Sequence, residues 1–171
     1  MNHILILVAV LARLIPHPVN VTPVGAVALV GGAKLSKLWR WTTPFIALVL
    51  SDFLLGIFFD VKPWSLVTPF IYASFAISIF LGGFISGSNR YLKLGMLSVV
   101  GSLQFFVISN LGVWMEGMLY TKTLEGLFQC YLMALPFLKN QLLVDLCWSF
   151  GLFTIIERSQ VWIQKRSLSP C

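Results

Sequence analysis

Six apolar runs divide this chain, and most of its charged residues stand between them. The runs cover about residues 2–15, 23–35, 43–59, 68–85, 92–114 and 136–156. Of 171 residues, 58% are hydrophobic and only 11% charged, and the mean hydropathy is +0.89. A water-soluble domain of this size carries about a quarter charged residues. This chain lacks the polar surface to cover a water-facing globule. The pattern predicts an all-α, polytopic integral membrane protein with six transmembrane helices, folded as a single domain over residues 1–171.

Three of the runs open on Thr-Pro, at Thr22-Pro23, Thr43-Pro44 and Thr68-Pro69. Threonine caps a helix start, and proline at the first helical position gives up an N–H that would be unpaired anyway. The first run is short for a bilayer core of roughly 30 Å. Residues 124–135 are apolar enough to lie in the interface or dip inward ahead of the sixth run. On the second run Gly25, Ala28 and Gly32 share one side, and small residues let helix backbones approach closely in lipid. The second helix is therefore expected to be central.

Loop charges set the orientation. Lys34, Lys37, Arg40, Arg90, Lys93, Arg158, Lys165 and Arg166 fall after the even-numbered runs, whereas Arg13, Lys62, Lys122 and Lys139 fall on the other side. Eight against four places both termini in the cytoplasm by the positive-inside rule. The net charge of +6 is then explained by topology, and no nucleic-acid partner is implied. The first run lacks a basic n-region, so it reads as a retained helix and not a cleaved signal. Cys130, Cys147 and Cys171 have no metal or redox spacing and read as packing residues.

Arg13 to Gly32 carries the densest set of candidate binding residues. Pro16, Pro18 and Pro23 fix φ, and Ile15, His17 and Thr22 are biased towards extended backbone by the prolines that follow them. Such a rigid turn, on the outer side, holds Arg13, His17, Asn20 and Thr22 in place. Asp52 and Asp145 each sit midway along an apolar run, where a charge costs about 2.5–3.5 kcal/mol on insertion scales. Arg13 can neutralise either aspartate; all three must meet for it to serve both, and protonation of one is the other relief.

Asn110, Trp114, Gln129, Tyr131, Lys139 and Asn140 also gather in the outer half, where they converge as a pocket lining. Their structural alternatives are an aromatic belt, an interfacial lysine and interhelical hydrogen bonds. His17 has only His3 as a second imidazole, on the opposite face, so no metal site or cofactor is expected. No phosphate-binding G-x-x-x-x-G-K-[ST] and no nucleophile–histidine arrangement is present, so no enzyme activity is expected.

The motif R-L-I-P-H-P-x-N-x-T-P-V-G-A from Arg13, a following G-G-A, S-D-x-x-L-G from Ser51, and C-Y-x-x-A-L-P-F-x-x-N-x-L-x-x-D from Cys130 to Asp145 resemble a family of uncharacterised bacterial membrane proteins. That family in turn resembles the S components of energy-coupling factor (ECF) transporters in its six helices, structured first outer loop and small-residue second helix. The resemblance implies a vitamin- or micronutrient-binding subunit in the bacterial inner membrane, energised by separate transmembrane and ATPase subunits. S components dock their partner through Ala-x-x-x-Ala on the first helix; here Ala9 and Ala12 are three apart.

The expected function is thus capture of a small solute from outside. Arg13, His17 and Asn20 would contact it, Asn110, Trp114 and Asn140 would line the pocket, and Asp52 and Asp145 would set its charge or gate it. The alternatives are a structural or assembly subunit without ligand, and a small proton-coupled carrier that uses the aspartates.

Overall fold

The shortest helix of the chain, α2 (Val24–Lys34), touches all five others. These are α1 (Asn2–Leu14), α3 (Trp39–Phe59), α4 (Thr68–Gly82), α5 (Arg90–Glu116) and α6 (Leu124–Ser167). The computed structural model describes residues 2–15, 21–60 and 64–167, and among these the fold is all-α, with no strand. Eight of the eleven residues of α2 are buried. Its composition allows this, because glycine, alanine and valine present little side chain on any face.

The tightest approach is between α2 and α4. A Cβ on Gly32 would collide with the Ile79 carbonyl oxygen, and one on Gly82 with the Leu29 carbonyl oxygen. Two backbones therefore meet with no side chain between them. Around this contact lies the apolar core, in which Val27, Val30, Leu48, Ile79, Leu94 and Phe153 are each at most 2% exposed.

The helix starts follow the Thr-Pro expectation unevenly. Pro23 is the N-cap residue of α2, which pushes Thr22 one position too far out for its side chain to cap the helix. The α3 helix begins at Trp39, so Thr43-Pro44 lies inside it and does not open it. Pro44 lies past the first turn of α3, so the ladder loses the bond its N–H would have made to the Arg40 carbonyl. Only at α4 does the proline fall in the first turn, and there Thr68 Oγ1 accepts a hydrogen bond from the Ser65 N–H at 2.9 Å.

The expected interfacial segment 124–135 and sixth run 136–156 are one continuous helix of 44 residues, with Pro136 inside it. Proline inside a helix costs about 3 kcal/mol. Here α6 packs on α5 on both sides of the proline. Before it, Tyr131 OH donates to the Val107 carbonyl at 2.8 Å; after it, Ser102 Oγ donates to Asp145 Oδ2 at 2.8 Å. Two anchors on one partner helix hold the backbone in line across the missing bond.

Two helices, α3 and α5, are long and apolar enough to cross a membrane among the described residues. With 13, 11 and 15 residues, α1, α2 and α4 reach only about 17–23 Å at 1.5 Å per residue. Large apolar side chains are widely exposed, among them Phe58, Trp64, Met118 and Leu124 at 66–84%.

One end of the bundle is tied by charge. Lys34 Nζ and Arg90 Nε lie 2.7 and 2.8 Å from Glu157 Oε1, and Tyr91 OH donates to Glu157 Oε2 at 3.0 Å. Partial burial alone would push the Glu157 carboxyl up. Hydrogen bonds from Lys34 and Tyr91 and the charges of Lys34 and Arg90 outweigh it and hold the carboxyl below the usual range.

A depressed carboxyl favours the folded state above its ordinary pKa and loses that contribution as pH falls through the folded value. Thermal scans should therefore show wild-type stability falling below about pH 4.3. Glu157→Gln should be less stable at pH 7 and lose part of that acid dependence. A second pair tests the helix contact. Gly32→Ala should lower the melting temperature strongly, whereas Gly151→Ala, whose Cβ meets nothing within 4 Å, should be neutral or stabilising by about 0.5–1 kcal/mol.

Candidate functional site

A seam of polar side chains runs through the apolar interior, built from residues spaced four apart. Ser74 and Ser78 lie on α4, Ser98 and Ser102 on α5, and Gln141, Asp145 and Ser149 on α6; all are at most 7% exposed. A spacing of four puts side chains one turn apart on a single helix face. Ser74 and Ser78 donate back to the carbonyls of Phe70 and Ser74, which lets hydroxyls stand in a dry interior.

The seam closes around Asp145. Ser102 Oγ is 2.8 Å from Asp145 Oδ2, Ser98 Oγ is 3.2 Å from Ser149 Oγ, and Gln141 lines the same chamber as the carboxylate. On the α2 side Asp145 rests against Gly25, where a Cβ would stand 2.5 Å from Oδ1. Glycine is required there because the carboxylate fills the space of a side chain. The amide oxygen of Gln141 is buried without a hydrogen-bond partner. A small chamber beside these groups, of about 10 Å³ in one lobe and about 30 Å³ in the other, has Phe105 in the wall of both lobes and Thr22 in that of the second.

Phe105 also lines a larger cleft of about 310 Å³ between α4, α5 and α6. Ser109, Asn110 and Tyr120 are its polar groups, among Ile71, Met133 and other apolar side chains, and no charged residue lines it among the described residues. Asn110 Nδ2 donates to the Phe106 carbonyl at 2.8 Å, leaving its oxygen towards other partners. Phe75 packs on Phe105 with ring centroids 5.3 Å apart, so an aromatic pair stands at the boundary between chamber and cleft.

The other polar cluster is an ion pair. Arg13 Nη1 lies 2.7 Å from Asp52 Oδ1 and donates to Ser51 Oγ at 2.6 Å, while Tyr72 OH donates to Asp52 Oδ2 at 3.0 Å. The choice between aspartates is settled by packing, since α1 lies on α3 and not on α6. Arg13 and Asp52 are thus brought together, and Asp145 is apart from them.

Trp114 Nε1–H donates to the Thr121 carbonyl at 3.0 Å and closes the turn between α5 and α6. Asn140 is half-buried on α6, one residue from the Gln141 face. His17 and Asn20 lie outside the described residues. Gln141, Ser102, Ser149 and Phe105 were not expected from the sequence; the i, i+4 recurrence of serine and amide residues inside apolar runs was their available signal.

A protein-family model described as a family of unknown function, DUF6580, matches residues 1–166. No curated protein matches the chain, and no solved structure does.

Gly25→Ala should force Asp145 aside and destabilise the fold by about 1–3 kcal/mol, as overpacking does. Combined with Asp145→Ala, which removes the obstructing oxygens, the loss should be clearly less than the sum of the singles, measured as a double-mutant cycle. Arg13→Gln alone should cost less than the ~3–5 kcal/mol of a fully buried pair, and Asp52→Asn should recover part of it.

Proposed function

We propose that this chain, which belongs to the DUF6580 family, is an integral membrane protein that binds a small solute from outside, as the capture subunit of an uptake system. All six helices lie in the bilayer in this reading, with both termini in the cytoplasm of a bacterial cell. Separate transmembrane and ATPase subunits would supply the energy, and the chain performs no chemistry on the solute. The width of its exposed apolar surface supports the membrane setting, since a soluble monomer seldom exposes apolar patches beyond a few hundred Å².

The observation that carries the solute reading is the cleft of about 310 Å³ whose inner wall is Phe105. It falls at the low end of the size range of small-molecule pockets, which are mostly apolar with a few convergent polar groups. The cleft opens at the end of the bundle away from Lys34, Arg90 and Glu157, which is the outer end if the basic loops face the cytoplasm. Its lining selects by chemistry. Hydroxyl and amide groups without a formal charge favour a neutral solute with an apolar body, and an anionic one would lose its hydration with no cation to replace it.

The Arg13–Asp52–Tyr72 cluster favours a second reading for its own residues. Arginine and aspartate already satisfy one another there, so their role is to lock α1, α3 and α4 together. A structural or assembly subunit would need nothing more.

Two measurements test the proposal. Mass spectrometry of the detergent-solubilised protein should find a neutral small molecule that co-purifies with wild type and is depleted in Asn110→Leu. Adding it back should raise the melting temperature of wild type only. Absence of any such molecule, with Asn110→Leu as stable as wild type, would favour the structural reading. In a background without native cysteines, a cysteine at position 119 should label from outside and one at position 37 should not; the reverse pattern inverts the topology.

A further inference from the structure

Among the described residues, the chamber around Asp145 holds a carboxylate with no cation beside it. Its lobes are lined by Thr22, Gly25, Ser78, Ser98, Gln141, Asp145, Ser149 and apolar side chains, with no lysine, arginine or histidine among the described residues. An ionised carboxylate in such surroundings is costly unless a countercharge accompanies it. The first turn of α2 lies against Asp145 at Gly25, but a helix N-terminus amounts to only about half an elementary charge. The helix end therefore tempers the carboxylate's charge without balancing it.

The neighbouring groups are oxygens with lone pairs to spare. Gln141 is 6% exposed and lines both lobes, and its amide oxygen has no partner. Asp145 receives Ser102 on Oδ2, and Ser98 and Ser149 face each other at 3.2 Å. Oxygen donors of this kind bind hard cations. One carboxylate matches one positive charge, and a divalent ion would be left under-neutralised. The lobes hold about 10 and about 30 Å³, space for a single water-sized particle, which excludes a hydrated ion or an organic cation.

We propose that the chamber between α2, α5 and α6 binds one dehydrated monovalent cation of about sodium's size, coordinated by Asp145, the Gln141 amide oxygen and the serine hydroxyls of the seam. Thr22 and Phe105 line its second lobe, so the ion enters past Thr22, at the N-terminal end of α2. Gly25 is part of the device, because any side chain there would displace the carboxylate that carries the charge. The site stands independently of the neutral solute assigned to the neighbouring cleft.

The test uses the full-length purified protein in detergent, without added solute, at pH 7.5 and constant ionic strength. Sodium chloride replacing choline chloride should raise the melting temperature saturably, and potassium, being larger, should do so less. Asp145→Asn should abolish the sodium shift. Should that variant fail to fold, Gln141→Leu should raise the sodium concentration needed for half of the effect by tenfold or more. Identical melting of wild type in sodium and choline overturns the proposal, as does a sodium shift of full size in both variants. A melting temperature that rises on acidification but ignores sodium also overturns it, since the carboxyl then carries a proton. None of these outcomes bears on solute binding in the cleft, which is read by mass spectrometry.

Discussion

The contact of Gly32 on Ile79 and Gly82 on Leu29 brings two helix backbones together without side chains between them. Because α2 sits this deep, it can touch every other helix while being only eleven residues long. The same depth carries the N-terminal end of α2 to Asp145, where Gly25 leaves room for the carboxylate. A larger residue at 32 or 82 would move α2 outward, and the polar seam between α5 and α6 would lose its lid. Packing in the core and the electrostatics of the chamber are thus two consequences of one backbone approach.

Two aspartates placed midway along apolar helices meet the same difficulty in different ways. Asp52 is neutralised at 2.7 Å by Arg13 and hydrogen-bonded by Tyr72, and its side chain is still 15% exposed. Asp145 is more deeply enclosed and, among the described residues, has hydrogen-bonding side chains and a helix terminus for company but no cation. In a low-dielectric interior a direct ion pair satisfies both charges where they stand, whereas an unmatched carboxylate invites a mobile countercharge. The difference separates a structural lock from a site that can change its occupancy.

Much of the fold was legible from hydrophobic run lengths. The extent of α1, the C-terminal end of α3 and the central, small-residue character of α2 follow from the sequence alone. The failures fall on proline. Thr43-Pro44 and Pro136 have the local chemistry of helix starts, but each lies inside a helix. Local preference is worth a few kcal/mol, and for Pro136 continuous packing against α5 outweighs it. At the site, the charges inside apolar runs were visible because charge in an apolar run is rare. Which aspartate Arg13 meets was not, because that depends on α1 packing against α3. Ser98, Ser102, Gln141 and Ser149 escaped because a lone serine in an apolar helix carries little signal; only their recurrence at four-residue spacing, on helices that turn out to face one another, gives them meaning.

The short helices bear on how such a fold is accommodated in a bilayer. A helix of about 17 Å cannot present a full apolar face to a core of roughly 30 Å. That matters only for a helix that lipid touches, and α2 is enclosed on all sides by protein. In the proposed membrane setting its ends can therefore stop within the membrane depth, where irregular backbone is tolerated when buried or beside a cavity. The chamber beside Thr22 and Gly25 occupies space that a longer α2 would have filled. A short, glycine-rich α2 thus makes space for polar groups inside the bundle, and α4, α5 and α6 wall that space.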